Sequence, residues 1–206
     1  MVGTLAKTLD DLGLNPAPPN WLSKAEACDI YFSEQDQNKA FNAISSILGG
    51  VKVDFHIQKA NLRRKKILVA DMDSTIIISE TIDELANLAG CGAEVAAITE
   101  RSMKGELDFN EAIHKRVAKL AGLKVSSLSN ILTGIKLSPG AKTLVCTMAA
   151  DGAFTVLVSG GFENFSGPVA RMAGFFQHHA NRFEIDNGHL TGRVIEPILG
   201  PDAKLE

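Results

Sequence analysis

Apolar and polar positions follow one organisation over the first 64 residues and another from residue 65 onward. Leu5, Leu9 and Leu12 are spaced for one face of a helix. The string Asn15-Pro16-Ala17-Pro18-Pro19-Asn20 cannot continue it, because proline fixes φ and restricts the residue before it. Cys28 to Phe32 reads as a short strand. Ala40, Phe41, Ile44, Ile47 and Leu48 recur at helical spacing and stop at Gly49-Gly50, a helix C-cap. Val51, Val53, Phe55 and Ile57 then alternate strictly, the period of a half-buried strand. Residues 1–64 are thus read as a small α+β accessory domain, and no residue in it points to chemistry.

From residue 65 the pattern becomes that of an α/β core. Ile67-Leu68-Val69-Ala70 is a continuous apolar run, expected of a strand buried on both faces of a parallel sheet. Residues 81–133 read as four helices. Their stripes are Ile82, Leu85, Ala86 and Ala89; Val95, Ile98 and Ser102; Phe109, Ala112, Ile113, Val117 and Leu120; and Leu128, Ile131 and Leu132. Ser138-Pro139 predicts an N-cap with proline at the first helical position, and Asp151-Gly152 turns that helix into a second apolar run, Phe154 to Val158. Asn187-Gly188, between Phe183–Ile185 and Leu190–Val194, is a strong hairpin signal. The expected architecture is a core over 65–206 with a helical cap inserted at about 81–135.

Composition narrows the function classes. The 206 residues are 45% hydrophobic and 22% charged with a net charge of -3, which argues against nucleic acid or an anionic membrane as partner. Arg63-Arg64-Lys65-Lys66 is compatible with a basic patch or a solvated linker, and no aromatic residue interleaves with it to stack on bases. There is no apolar run of about 18 residues, and Lys7, Asp10 and Asp11 come too early for a secretory signal, so a cytoplasmic protein is expected. Cys28, Cys91 and Cys146 fit no zinc pattern and are expected to be reduced. His114, His178 and His179 lack metal-ligand spacing and are read as structural.

Three features can carry chemistry. Asp71-Met72-Asp73-Ser74-Thr75 directly follows the first apolar strand, where open α/β sheets place their ligands. Carboxylates at i and i+2 can share a pocket if the chain stays extended. They could then hold a hard cation, attack phosphorus and protonate a leaving oxygen. The alternative is a surface turn with an Asx cap. Val158-Ser159-Gly160-Gly161 ends the second buried run, and its glycines would let backbone N–H groups approach a phosphate; an ordinary strand-to-loop turn is the alternative. Arg116 sits beside the apolar face of the strongest amphipathic helix. It either grips a carboxylate under the cap or snorkels to solvent.

Together with Glu80 and Phe162, these strings resemble the haloacid dehalogenase superfamily, and within it the phosphoserine phosphatase family. The likeness runs from about Lys65 to the end and includes Phe109, Arg116 and the hairpin Asn187-Gly188-His189-Leu190-Thr191-Gly192. The resemblance implies an incomplete Rossmannoid parallel sheet with a helical cap, and Mg²⁺-dependent hydrolysis of O-phosphoserine as a step of serine biosynthesis. It implies Asp71 as nucleophile, Asp73 as general acid and base, and Lys204 as the lysine that steadies the transferred charge. Metal would be held by the Asp71 side chain and the Asp73 carbonyl. Substrate would meet Glu80, Met103, Phe109, Arg116, Ser159, Gly160 and Lys204. The family's further Gly-Asp-Gly-x-Asn-Asp string would lie beyond Glu206, so the 206 residues are read as part of a longer enzyme. The alternatives are a catalytically weak phosphoserine-binding module and a phosphatase or phosphotransferase for another small phosphomonoester.

Overall fold

The computed structural model describes residues 1–33, 37–200 and 202. The chain divides into two compact units, Met1–Arg64 and Lys65–Glu206. In the first, helix α1 (Val2–Asp11) buries Leu9, strands β1 (Asn20–Ser23) and β2 (Ala27–Asp29) pair antiparallel, and helix α2 (Gln37–Leu48) buries Ala40, Ile44 and Leu48. Leu9, Leu14 and the inner face of α2 form this unit's core, against which Phe55 and Ile57 pack.

Two expectations for this unit are corrected. The strand expected over 28–32 is the short β2, ending at Asp29. Residues 51–57 are not a strand. The Val53 amide donates to the Val51 carbonyl at 2.9 Å, a tight turn that breaks the extended run and leaves both valines exposed.

The second unit is built on four strands in the order β3-β4-β5-β6. Strands β3 (Ile67–Ala70), β4 (Phe154–Phe162) and β5 (Gln177–Asp186) run parallel, while β6 (His189–Ile195) is antiparallel to β5. Asn187 and Gly188, at φ 46° and 76°, make the hairpin turn. Helices α3 (Thr81–Leu88), α4 (Gly92–Met103), α5 (Phe109–Ala118) and α6 (Leu128–Gly134) form the insertion between β3 and β4. Helix α7 (Ala141–Ala150) returns the chain to β4, and α8 (Glu163–Ala173) connects β4 to β5. Met72, Leu85, Ile113, Leu157, Phe162 and Phe165 belong to one buried cluster spanning sheet and insertion.

The entry and exit of the insertion lie side by side. Ile78 N–H donates to the Lys136 carbonyl at 3.2 Å, and Ser138 N–H donates to the Ile76 carbonyl at 2.9 Å. The insertion is also tied to the hairpin: Gly122 N–H reaches the Leu190 carbonyl at 2.8 Å, and Leu190 N–H reaches the Leu123 carbonyl at 2.9 Å.

Two further expectations change here. Ser138-Pro139 does not open α7. Ala141 N–H bonds the Ser138 carbonyl at 3.0 Å around Pro139 and Gly140, whose φ of 83° makes a proline-glycine turn, and the helix starts after it. Strand β3 is not buried on both faces. Ile67 is 63% and Val69 42% exposed, whereas Leu68 and Ala70 are half-buried, so one face of the strand is open to solvent at a sheet edge where, among the described residues, β4 alone pairs with β3.

Candidate active site

The carboxyl end of β3 is built by an irregular turn rather than a helix. Asp71 and Asp73 are extended (ψ 160° and 137°), and Met72 between them is buried in the core. Anchoring the middle residue turns its two neighbours the other way, and both aspartates line one cavity of about 310 Å³. Ser74 then takes a left-handed conformation (φ 51°), and the turn is closed by Ile77 N–H donating to the Met72 carbonyl at 3.0 Å. The hydroxyl of Ser74 donates to Glu80 Oε1 at 2.6 Å, so the turn itself fixes the next acidic residue.

Asp73 is held as well as placed. Its Oδ1 accepts the Thr81 N–H at 2.7 Å, at the start of α3. Burial is the largest influence on its carboxyl and raises its pKa above the ordinary 3.8. The hydrogen bonds from Thr81 pull it down, and the negative charges of Glu80 and Asp71 add to the rise.

The second wall comes from the end of β4. Between the pairs Val158–His179 and Phe162–Asn181, β4 carries Ser159, Gly160 and Gly161 against the single residue Ala180 of β5, so this segment bulges out of the ladder. Ser159 is 2% exposed, and its Oγ accepts the Gly161 N–H at 2.9 Å. A Cβ on Gly161 would stand 3.0 Å from Asp73 Oδ2 and 3.0 Å from Ser159 Oγ. A side chain here would crowd the contact between the two strand ends.

The insertion supplies the roof. Asp108 caps α5 by accepting the Glu111 N–H at 2.7 Å, which sets Phe109 as its first residue. The Phe109 ring lies against Gly160, where a Cβ would come within 2.9 Å of Cζ. Two turns along α5, Arg116 donates from Nε to the Ala112 carbonyl at 3.3 Å and lines the cavity rather than snorkelling away from it. Burial lowers its pKa, and Asp83 and Glu80 oppose that shift.

The structure therefore brings Asp71, Asp73, Glu80, Phe109, Arg116, Ser159 and Gly160 to one cavity. Met103 is not among them: it ends α4 with 85% exposure, off the inward face set by Val95, Ile98 and Ser102. Lys204 lies outside the described residues. Thr81, Ile82, Ile113, Gly161, Phe162 and Gly200 also line the cavity. Gly161 and Phe162 belong to the Val158–Phe162 string that the sequence marks, whereas Gly200 carries no local signal.

Comparisons with known proteins point to one family. The model of the haloacid dehalogenase-like hydrolase family matches residues 68–206. A phosphoserine phosphatase of Archaeoglobus fulgidus is 44% identical over 142 residues, covering 69% of this chain and 41% of that protein. One from Streptococcus thermophilus is 44% identical over 141 residues, covering 68% of this chain and 66% of the relative. The chain thus spans from about two fifths to two thirds of the length of these relatives. Among solved structures, a phospho-aspartyl intermediate analogue of phosphoserine phosphatase aligns with TM-score 0.59 and 34% identity, over 64% of this chain and 63% of that one. A HAD family hydrolase from Salmonella enterica serovar Typhi aligns with TM-score 0.82 and 25% identity, over 99% of this chain and 72% of that one. With two aspartates at one strand end, a serine-glycine bulge at the next and a family match running from β3 onward, the chain belongs to the haloacid dehalogenase-like hydrolases.

Proposed function

We propose that this chain carries the active site of a cytoplasmic phosphoserine phosphatase that hydrolyses O-phosphoserine to serine and phosphate. The observation that carries the reading is the lining of one cavity by two kinds of group. Asp71, Asp73, Ser159 and Gly160 suit a phosphoryl group, whereas Glu80 and Arg116 suit the ammonium and carboxylate of an amino acid. Phosphoserine phosphatases at 44% identity are what this combination would lead one to expect.

In the proposed reaction a carboxylate oxygen of Asp71 attacks phosphorus and forms an aspartyl-phosphate as the bond to the serine oxygen breaks. Asp73 gives that oxygen its proton. The upward shift of its carboxyl favours the protonated form needed at this step, and the Thr81 N–H holds Oδ1 so that Oδ2 is presented. In the second half Asp73 takes a proton from water, whose oxygen attacks phosphorus and releases Asp71 and inorganic phosphate. Ser159 and Gly160 hold the non-reacting phosphoryl oxygens, and Lys204 steadies their charge. Glu80, fixed by Ser74, receives the ammonium, and Arg116 takes the carboxylate through its paired N–H groups.

The donor set suits Mg²⁺, which binds through one or two protein oxygens and keeps its other positions for water and phosphate. The Asp71 carboxylate and the Asp73 carbonyl would hold it. When bound it supplies charge neutralisation on the transferred phosphoryl group.

The test is phosphate release with Mg²⁺ from O-phosphoserine, O-phosphothreonine and phosphoethanolamine. The amino-acid esters should be preferred, because phosphoethanolamine offers Arg116 no carboxylate. Equal turnover of phosphoethanolamine overturns the substrate assignment, and no release from any of the three overturns the activity.

A further inference from the structure

We infer that Asn181, a β5 residue outside the cavity lining, is a positioning residue for the phosphate-binding bulge. This rests on the reading of the Ser159–Gly161 bulge as the phosphoryl site.

The bulge creates a physical problem. Where β4 carries extra residues, the peptide groups of Ser159 to Gly161 leave the ladder that would otherwise orient them. A glycine-glycine peptide has little intrinsic preference for one orientation, and rotation of its plane exchanges an N–H for a carbonyl on the side facing the cavity. Asn181 resolves this. The residue is 2% exposed, and its Nδ2 donates to the Gly160 carbonyl at 2.9 Å. In a trans peptide the carbonyl of Gly160 and the N–H of Gly161 point in opposite directions. Holding the first toward β5 therefore aims the second the other way, where it meets Ser159 Oγ at 2.9 Å. The hydroxyl of Ser159 and the peptide plane at Gly160 are thus set by one amide.

The same side chain holds a second wall. Nδ2 also donates to the Leu199 carbonyl at 3.2 Å, and Oδ1 accepts the Leu199 N–H at 2.7 Å. Gly200, the next residue, lines the cavity beside Phe109, whose Cδ1 would be 3.7 Å from a Cβ at that position. Both N–H groups and the oxygen of the Asn181 amide are used, and two segments distant in sequence are fixed relative to each other. A buried amide satisfied at every atom specifies one arrangement strongly, because each alternative strands a polar group.

The test uses the isotopically labelled chain with inorganic phosphate as the probe. The variants are Asn181→Ala, which removes all three bonds, and Asn181→Asp, which keeps the acceptor for Leu199 N–H and loses both donors. Thr155→Val is the control. It removes the bond between Thr155 Oγ1 and the Phe176 N–H (3.1 Å), at the other end of β4 and away from the cavity. Both Asn181 variants should weaken phosphate binding by about tenfold or more, shift the Gly161 amide resonance and speed its hydrogen exchange. The control should lower the melting temperature and leave those readouts alone. If the Asn181 variants lose stability like the control but keep phosphate affinity within about twofold and an unmoved Gly161 amide, the inference is overturned. Should neither variant fold, exchange of Gly161 in the wild-type chain decides: slow exchange supports the pinned peptide, and exchange at the rate of an unprotected amide overturns it. Wild type that binds phosphate but releases none from O-phosphoserine would overturn the activity proposed above and leave the Asn181 comparison standing.

Discussion

Replacing Gly192 by alanine tests how the helical insertion is held over the candidate active site. Gly192 lies in β6 at φ 86°, a conformation that costs an ordinary residue about 1–2 kcal/mol. The added Cβ would stand 2.9 Å from the Ala121 Cβ, 3.3 Å from the Ala118 carbonyl oxygen and 3.4 Å from the Ala118 Cα. None of these is the end of a flexible side chain, so the overlap is relieved only by separating the hairpin from the end of α5, at about 1–3 kcal/mol. The two contributions sum to about 2–5 kcal/mol. For a unit of this size, each kcal/mol corresponds to roughly 2–4 °C, giving a fall in melting temperature of about 4–20 °C. The separation also strains the bonds between Gly122 and Leu190 and between Leu190 and Leu123. Because α5 carries Phe109 and Arg116, the KM for phosphoserine should rise with the loss of stability. Denaturant unfolding of Gly192→Ala, Ala121→Gly and the double variant isolates the steric part. With the Ala121 methyl gone, Gly192→Ala should cost about 1 kcal/mol less than it does in wild type. Strict additivity would refute the steric account, and a melting temperature within about 1 °C of wild type would refute the whole calculation.

Asp71→Asn should abolish phosphate release while circular dichroism and melting stay close to wild type; residual turnover above about 1% would sink the aspartyl-phosphate route. Arg116→Ala should raise the KM for phosphoserine about 10- to 100-fold and leave phosphoethanolamine nearly unchanged, as expected for a charge-assisted contact worth about 1.5–3 kcal/mol. Asp73 carries a stability prediction with a definite sign. Its folded-state pKa is raised above 3.8, so between that value and the raised one the folded state binds more protons than the unfolded state. Its contribution is greatest below 3.8 and is lost as pH rises through the raised value. In urea titrations with chelator present, Asp73→Asn should therefore gain stability relative to wild type as pH rises through this window, and a flat difference would contradict the assignment.

How far the fold could be read in advance depended on whether a residue's neighbours were local. The stripes of α3 to α6 were legible because a helix face repeats within a few residues, and β4 because an apolar run needs no knowledge of its partner. The alternation over 51–57 failed for the converse reason. A period of two is only half of a strand, and the local turn from Val53 to Val51 claimed the backbone instead. Arg116 could be placed beside the apolar face of α5 from spacing, but choosing cavity over solvent required knowing what that face packs against. Met103 went the other way: a helix end one position off the inward face carries it out to solvent. Asn181 illustrates the limit most sharply. Its partners are Gly160 and Leu199, 21 and 18 residues away on opposite sides, and nothing near Asn181 in the sequence signals either. What makes it important is the bulge at Ser159–Gly161, itself visible only once β4 and β5 are in register. Residues that do chemistry form short strings because one strand end must present them together. Residues that hold such an end in place are drawn from wherever the fold brings the chain back, and a sequence pattern cannot mark them.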